Sequence, residues 1–215
     1  MRLPQQTKLL FIGDSITDAG RDQSGEPTPW CNTTGLGHGY VNLVNSLIQS
    51  SDPASRVRIL NLGLSGNTIR DLAARWKRDV LDLAPQWLSV KIGINDVWRQ
   101  FDQPHRIEAH VLPLEYEQTY RSLLAKTRPA LQGLVIISPY FIEPNKVDPM
   151  RARMDEYGAI ARKVAKEFDA LFVDSQAAMD QLTEQTHPAE IAWDRVHPST
   201  VGHMAIAQAF MNAID

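Results

Sequence analysis

Short apolar runs alternate with amphipathic stretches along the whole chain. Residues 8–12, 57–62, 87–92, 134–138 and 170–173 are dominated by Leu, Ile, Val and Phe, and several are closed by Gly, Asp, Asn or Ser. Near-continuous apolar runs of this length are what strands covered on both faces of a parallel sheet require. Helical periodicity fills the intervals, predicting helices over 39–49, 114–127, 148–168, 175–186 and 199–213. Another opens after Thr68, where Ile69, Leu72, Ala73, Trp76, Val80 and Leu83 recur at helical spacing. Thr68 with Asp71 resembles a capping box, with Asp in place of the usual Glu. Residues 19–38 read as a Gly- and Pro-containing loop, and 97–113 as a longer connection rich in Trp, Phe, His and Arg. Strands alternating with helices imply right-handed βαβ units. The expected fold is therefore α/β: a three-layer α/β/α sandwich around a five-stranded parallel sheet in flavodoxin-like order 2-1-3-4-5, as a single domain over 1–215.

In that topology the first strand lies between the second and third, and ligands bind beyond the carboxyl ends of the strands. The first strand runs into Gly13-Asp14-Ser15, the second into Ser65-Gly66-Asn67 and the third into Gly93-Ile94-Asn95-Asp96. Taken alone, Gly13-Asp14-Ser15 is an ordinary capped turn. Flanked by Gly66 and Asn95, Ser15 gains the surroundings that acyl transfer needs: a nucleophilic oxygen and donors converging where an oxyanion develops. Ser15 N–H, Gly66 N–H and the Asn95 side-chain amide are the three donors nominated. Near the far end, Asp194-Arg195-Val196-His197-Pro198 places a carboxylate three residues before a histidine and just ahead of a helix start. Asp194 can accept from His197 Nδ1–H and turn Nε2 towards Ser15. The other histidines, His38, His105, His110, His187 and His203, lack such a partner in sequence.

Composition narrows the class. The 215 residues are 43% hydrophobic and 22% charged with a net charge of −3, which suits a globular protein and argues against nucleic acid as a partner. The single cysteine, Cys31, excludes an intrachain disulfide and a cysteine-cage zinc site. No apolar stretch approaches the length needed to span a bilayer, and the polar start runs directly into the first strand; a cytoplasmic protein with no membrane partner is expected.

Together these blocks resemble the SGNH (GDSL-type) hydrolase superfamily, end to end and in order, with Ile16 in place of the eponymous Leu. The resemblance is closer to its intracellular carbohydrate acetylesterases, especially the acetylxylan esterases of bacilli. The stretches that carry it are 8–18, 92–100 and 192–198, with Asp148-Pro149-Met150-Arg151 and Gly202-His203-Met204. It implies Ser15, Asp194 and His197 as catalytic residues and Ser15, Gly66 and Asn95 as the oxyanion hole. It further implies serine-dependent deacetylation with no metal or organic cofactor, a small acylated carbohydrate as substrate, and a family in which some members form homo-oligomers. Trp98, Trp193 and Trp30 are the candidate substrate contacts, with Phe101 and Tyr140 near the same edge; aromatic faces can stack on sugar rings, and Arg99 and Gln100 could bond to hydroxyls.

Other readings stay open. A lysophospholipase or thioesterase of the same fold would need a long apolar acyl channel, and a non-catalytic sugar-binding protein would not need the intact set. Ser65 lacks the Gly-x-Ser-x-Gly spacing of a nucleophile elbow. A metal phosphoesterase using Asp14, Asp18, Asn95 and Asp96 lacks a His pair at ligand spacing. Gly35-Leu36-Gly37-His38-Gly39 follows no strand, so a phosphate loop is not expected there. Asp14 and Asp96 are assigned to fixing their loops through local backbone N–H groups, while Lys91 and Arg195 are compatible with solvated surface.

Overall fold

The computed structural model describes residues 3–24 and 34–215. Five strands lie side by side in one sheet: β1 (Lys8–Gly13), β2 (Arg58–Gly63), β3 (Trp87–Lys91), β4 (Gly133–Ile137) and β5 (Leu171–Val173), in the order β2-β1-β3-β4-β5. Every pairing is parallel. The apolar runs thus locate all five strands to within one residue at each end. β3 and β4 are buried at every position, as strands covered on both faces must be.

The helices are α1 (Ser15–Asp18), α2 (Tyr40–Ser51), α3 (Ile69–Trp76), α4 (Ile94–Asp102), α5 (Pro113–Thr127), α6 (Pro149–Glu167), α7 (Ser175–Thr183), α8 (Pro188–Ile191) and α9 (Thr200–Ile214). On one side α9 packs against both α2 and α7; on the other α5 packs against both α3 and α6. This is the expected three-layer arrangement. Local chemistry sets the helix starts. Asp71 Oδ2 accepts from Thr68 N (2.8 Å) and Thr68 Oγ1 (2.7 Å) at the head of α3, and Asp148 Oδ1 accepts from Met150 N and Arg151 N ahead of Pro149. α6 then buries Met150, Met154, Tyr157, Ala161 and Val164 at intervals of three and four.

Some expectations change. Residues 97–102 are helix, not connection: α4 starts directly after Gly93, so Asn95, Asp96, Trp98 and Arg99 share its first two turns. Ser15 opens a one-turn helix capped by Asp14, whose Oδ1 accepts from Ile16 N at 3.0 Å. Lys91 is also fully buried, not solvated. No helix among the described residues is long and apolar enough to cross a membrane.

Register positions the functional loops. Gly13 pairs with Gly63 on one side and Lys91 on the other, so three strands end on one line and their loops leave at one height. α1 then lies directly over the end of β2. A Cβ on Gly63 would stand 2.2 Å from Asp18 N and 2.6 Å from Thr17 C, both backbone atoms that cannot swing aside. Gly63→Ala is therefore expected to destabilise the fold by about 1–3 kcal/mol through overpacking, lowering Tm by roughly 2–4 °C for each kcal/mol in a chain of this size. Thermal unfolding followed by circular dichroism measures it, and an unchanged Tm would refute the close-packing claim.

Candidate active site

Ser15 stands where β1 ends and α1 begins. As the first helical residue its N–H has no carbonyl one turn back to bond. At the other end of the chain, the loop between α8 and α9 makes a tight turn through Arg195, whose φ of 63° is left-handed. That turn folds the Asp194 carboxylate back, so that Oδ1 accepts from Val196 N (2.9 Å) and His197 N (2.8 Å). Oδ2 lies 2.6 Å from His197 Nδ1. Because a carboxylate only accepts, Nδ1 carries the proton in this contact, which leaves Nε2 with its lone pair. Nε2 is 2.8 Å from Ser15 Oγ, placed to accept the hydroxyl proton. Burial works to raise the Asp194 carboxyl, but the His197 side chain and the two backbone N–H groups outweigh it and hold the group below the ordinary carboxylate range. Trp98 tilts against the imidazole, with ring centroids 5.9 Å apart. Tyr140 Oη donates to Val196 O (3.0 Å), fixing the histidine loop from beneath.

The loop after β2 passes beside this relay. Gly66 has φ 82° and open space where a Cβ would project, so its backbone is approachable. Four side chains pin the loop: Asp18, Asn95, Asp96 and Arg75. Asp18 Oδ2 accepts from Ser65 N (3.0 Å) and Ser65 Oγ (2.9 Å). Asn67 O accepts from Asn95 Nδ2 (3.0 Å). Asp96 Oδ1 accepts from Ile69 N (2.9 Å). Arg75, nearly buried, donates to Asn67 Oδ1 (2.7 Å), Leu62 O (2.8 Å), Gly13 O (3.0 Å) and Asp79 Oδ2 (2.8 Å). The rival nucleophile Ser65 thus gives its hydroxyl proton to a carboxylate rather than facing a histidine.

The floor of the site holds buried ionisable groups. Burial raises the Asp14 carboxyl, with Lys91 and His197 opposing. Burial lowers the Lys91 ammonium, with Asp14 opposing, and its Nζ lies 4.6 Å from the centre of the Tyr140 ring. Burial pushes Asp96 up to about 7. Asp96 also reaches beyond its own loop: besides the influence of its own backbone N–H, its Oδ1 accepts from Ile69 N, 27 residues away. His203 is pushed down to about 4 by burial, then by Lys91 and His197, and accepts from Tyr40 N at 3.2 Å. No group of three or more His, Cys, Asp or Glu among the described residues is arranged to hold a metal ion.

Ser15, Asp194 and His197 are brought together, and Asn95 is joined to the Gly66 loop through Asn67. The candidate substrate contacts diverge. Trp98 is half-buried beside His197, Trp193 is 84% exposed next to Asp194, and Trp30 lies outside the described residues. Tyr140 is fully buried, so its ring cannot stack on a substrate. Gln100 Nε2 bonds inward to Asp96 O, Val111 O and Tyr157 Oη. Arg195, about half exposed, is ion-paired with Glu143. Sequence reasoning missed Arg75. Its nearly buried guanidinium hides on the apolar stripe of α3, and the only signal is Asp79 one helical turn later.

The chain is similar over its whole length to known proteins. An acetylxylan esterase from Geobacillus stearothermophilus is 49% identical over 214 residues, covering 100% of this chain and 96% of that protein. A crystal structure of an acetylxylan esterase from that organism superposes with a TM-score of 0.95 at 48% identity, covering 100% and 96% of the two chains. Catalytic mutants of it have been solved in which a serine, an aspartate or a histidine is replaced by alanine. An alpha/beta hydrolase enzyme from the metagenome of Lake Arreo, Spain, superposes with a TM-score of 0.96 at 50% identity, covering 100% of this chain and 97% of its own. Residues 11–205 match the GDSL-like Lipase/Acylhydrolase family, and the chain belongs to it.

Proposed function

We propose that this protein is a serine esterase that removes acetyl groups from sugar hydroxyls, with acetylated xylo-oligosaccharides as its substrate class, and that one domain over 1–215 carries the activity. The observation that carries the reading is the relay from Asp194 through His197 to Ser15, with contacts of 2.6 and 2.8 Å. The named activity of the Geobacillus stearothermophilus relative supports the substrate class.

In this mechanism His197 Nε2 takes the proton from Ser15 Oγ as the oxygen attacks the acetyl carbonyl. Negative charge collects on the former carbonyl oxygen. Ser15 N–H, Gly66 N–H and the Asn95 N–H not used by Asn67 are the donors assigned to it. Asp194 stabilises the imidazolium that forms. That imidazolium protonates the departing sugar oxygen, leaving acetyl on Ser15, and water then enters by the same route to release acetate. The side chain of His197 is 45% exposed, which gives the departing sugar alcohol and the incoming water a route to the imidazole.

Ser15→Ala is expected to lower kcat on 4-nitrophenyl acetate by about a thousandfold or more with circular dichroism unchanged. Substantial residual turnover would remove Ser15 from the mechanism. On 4-nitrophenyl esters of increasing chain length, kcat/KM is expected to fall from acetate to octanoate; the reverse order would favour the lipolytic alternative.

Because the Asp194 carboxyl is held low, it stays ionised through the weakly acidic range. Catalysis needs His197 neutral as the base, so activity is expected to fall on acidification, over a range in which Asp96, pushed up to about 7 by burial, also changes charge. A pH–kcat/KM profile flat down to about pH 4 would contradict the base assignment. Asp194→Asn, which no longer holds Nδ1–H by a charged acceptor, is expected to cost about 10²–10⁴ in kcat.

A further inference from the structure

Asn95 and Arg99 sit one turn apart on α4, and the guanidinium donates from Nη2 to Asn95 Oδ1 at 3.2 Å. Its Nη1 pairs with Asp102, three residues further on, and its Cζ lies 5.0 Å from the centre of the Trp98 ring. The Arg99 side chain is 24% exposed and already held on three sides. A sugar hydroxyl would have to compete for it.

We propose that Arg99 is a positioning residue for the oxyanion hole, fixing which face of the Asn95 amide meets the developing charge. This rests on the oxyanion role proposed above for Asn95. An amide's oxygen and nitrogen are nearly equal in size, so packing alone does not choose between its two orientations. Here two electrically opposite neighbours choose. Asn67 O can only accept, and it takes one Nδ2–H at 3.0 Å. The guanidinium can only donate, and it occupies Oδ1. Rotating the amide by half a turn would set carbonyl against carbonyl and N–H against N–H, losing both bonds at a nearly buried side chain. The same rotation would aim an acceptor oxygen at the oxyanion in place of an N–H. The cation on Oδ1 also draws charge from the amide and strengthens its remaining N–H as a donor.

The test compares Arg99→Met, Arg99→Lys and Asn95→Ala on 4-nitrophenyl acetate and on acetylated xylo-oligosaccharides, with Tm and circular dichroism as controls for folding. Arg99→Met is expected to lower kcat on both substrates about ten- to a hundredfold, somewhat less than removal of an oxyanion donor outright, with KM within about twofold of wild type. Arg99→Lys is expected to recover most of the loss, and the acid limb of the pH profile to stay in place. If Arg99→Met fails to fold, Arg99→Ala assayed with and without millimolar guanidinium substitutes for it, and rescue by the added cation is the expected result. Unchanged kcat in a folded variant overturns the proposal. So does a rise confined to KM on the oligosaccharide, which would make Arg99 a sugar contact, or a shifted acid limb, which would mean it acts on His197 through Trp98. Asn95→Ala separates the two levels: if it leaves kcat intact, the oxyanion role itself fails; if it collapses kcat while Arg99→Met does not, only the Arg99 proposal fails.

Discussion

One buried guanidinium ties together the parts on which the site depends. Arg75 reaches from α3 to the carbonyl of Gly13 at the end of β1, the carbonyl of Leu62 near the end of β2, and the side chain of Asn67 beyond Gly66. A carbonyl has two lone pairs, and Gly13 O fills both, accepting from Leu64 N (3.1 Å) as well as from Arg75. A single planar cation with five N–H groups satisfies two strand ends and a loop at once. Asp79 one turn away balances its charge. Such a buried pair contributes little net stability, but removing one member leaves an uncompensated charge. Its product is geometric: the loop carrying Gly66 is held at a set distance from the turn carrying Ser15.

Other links share this logic. Asp18 joins the nucleophile turn to Ser65, Asp96 joins α4 to the start of α3, and Asn95 joins α4 to Asn67. Each is a long-range side-chain bond to the same short loop. The chemistry on the surface therefore sits on polar groups withdrawn from water, whose desolvation raises Asp14 and Asp96 and lowers Lys91 and His203. Neutral His203 leaves His197 as the imidazole at the surface of the site, while the buried one serves the backbone of Tyr40.

Much of this was legible in the chain because two signals are local. Apolar runs located every strand, and Asp194 with His197 lies within one turn, so their pairing needed no knowledge of the fold. A flavodoxin-like order, taken as the premise for five alternating strands, is the order of the sheet, so the ends of β2 and β3 lie on either side of β1. What escaped were residues whose environment comes from elsewhere in sequence. Lys91 was compatible with solvated surface, yet it is fully buried with its ammonium over the Tyr140 ring. Tyr140 follows an apolar strand and looked available for stacking, but its hydroxyl is taken by Val196 O. α4 was hidden because its fully buried apolar residues, Ile94 and Val97, lie in its first turn, after which Trp98, Arg99 and Gln100 break the periodicity; it packs against α6.

The 182 residues separating Ser15 from His197 have a consequence for how the site comes into being. Strand β1 and its serine are made before the other four strands, whereas the imidazole arrives only after all five strands have been translated. Until α9 docks onto α2 and α7, the serine has no base. Contacts this distant close late in folding, since the entropy of the intervening chain must first be overcome. Nascent and partly folded chains therefore carry an inert hydroxyl, and reactivity switches on only with the completed topology, which ties chemical competence to successful folding.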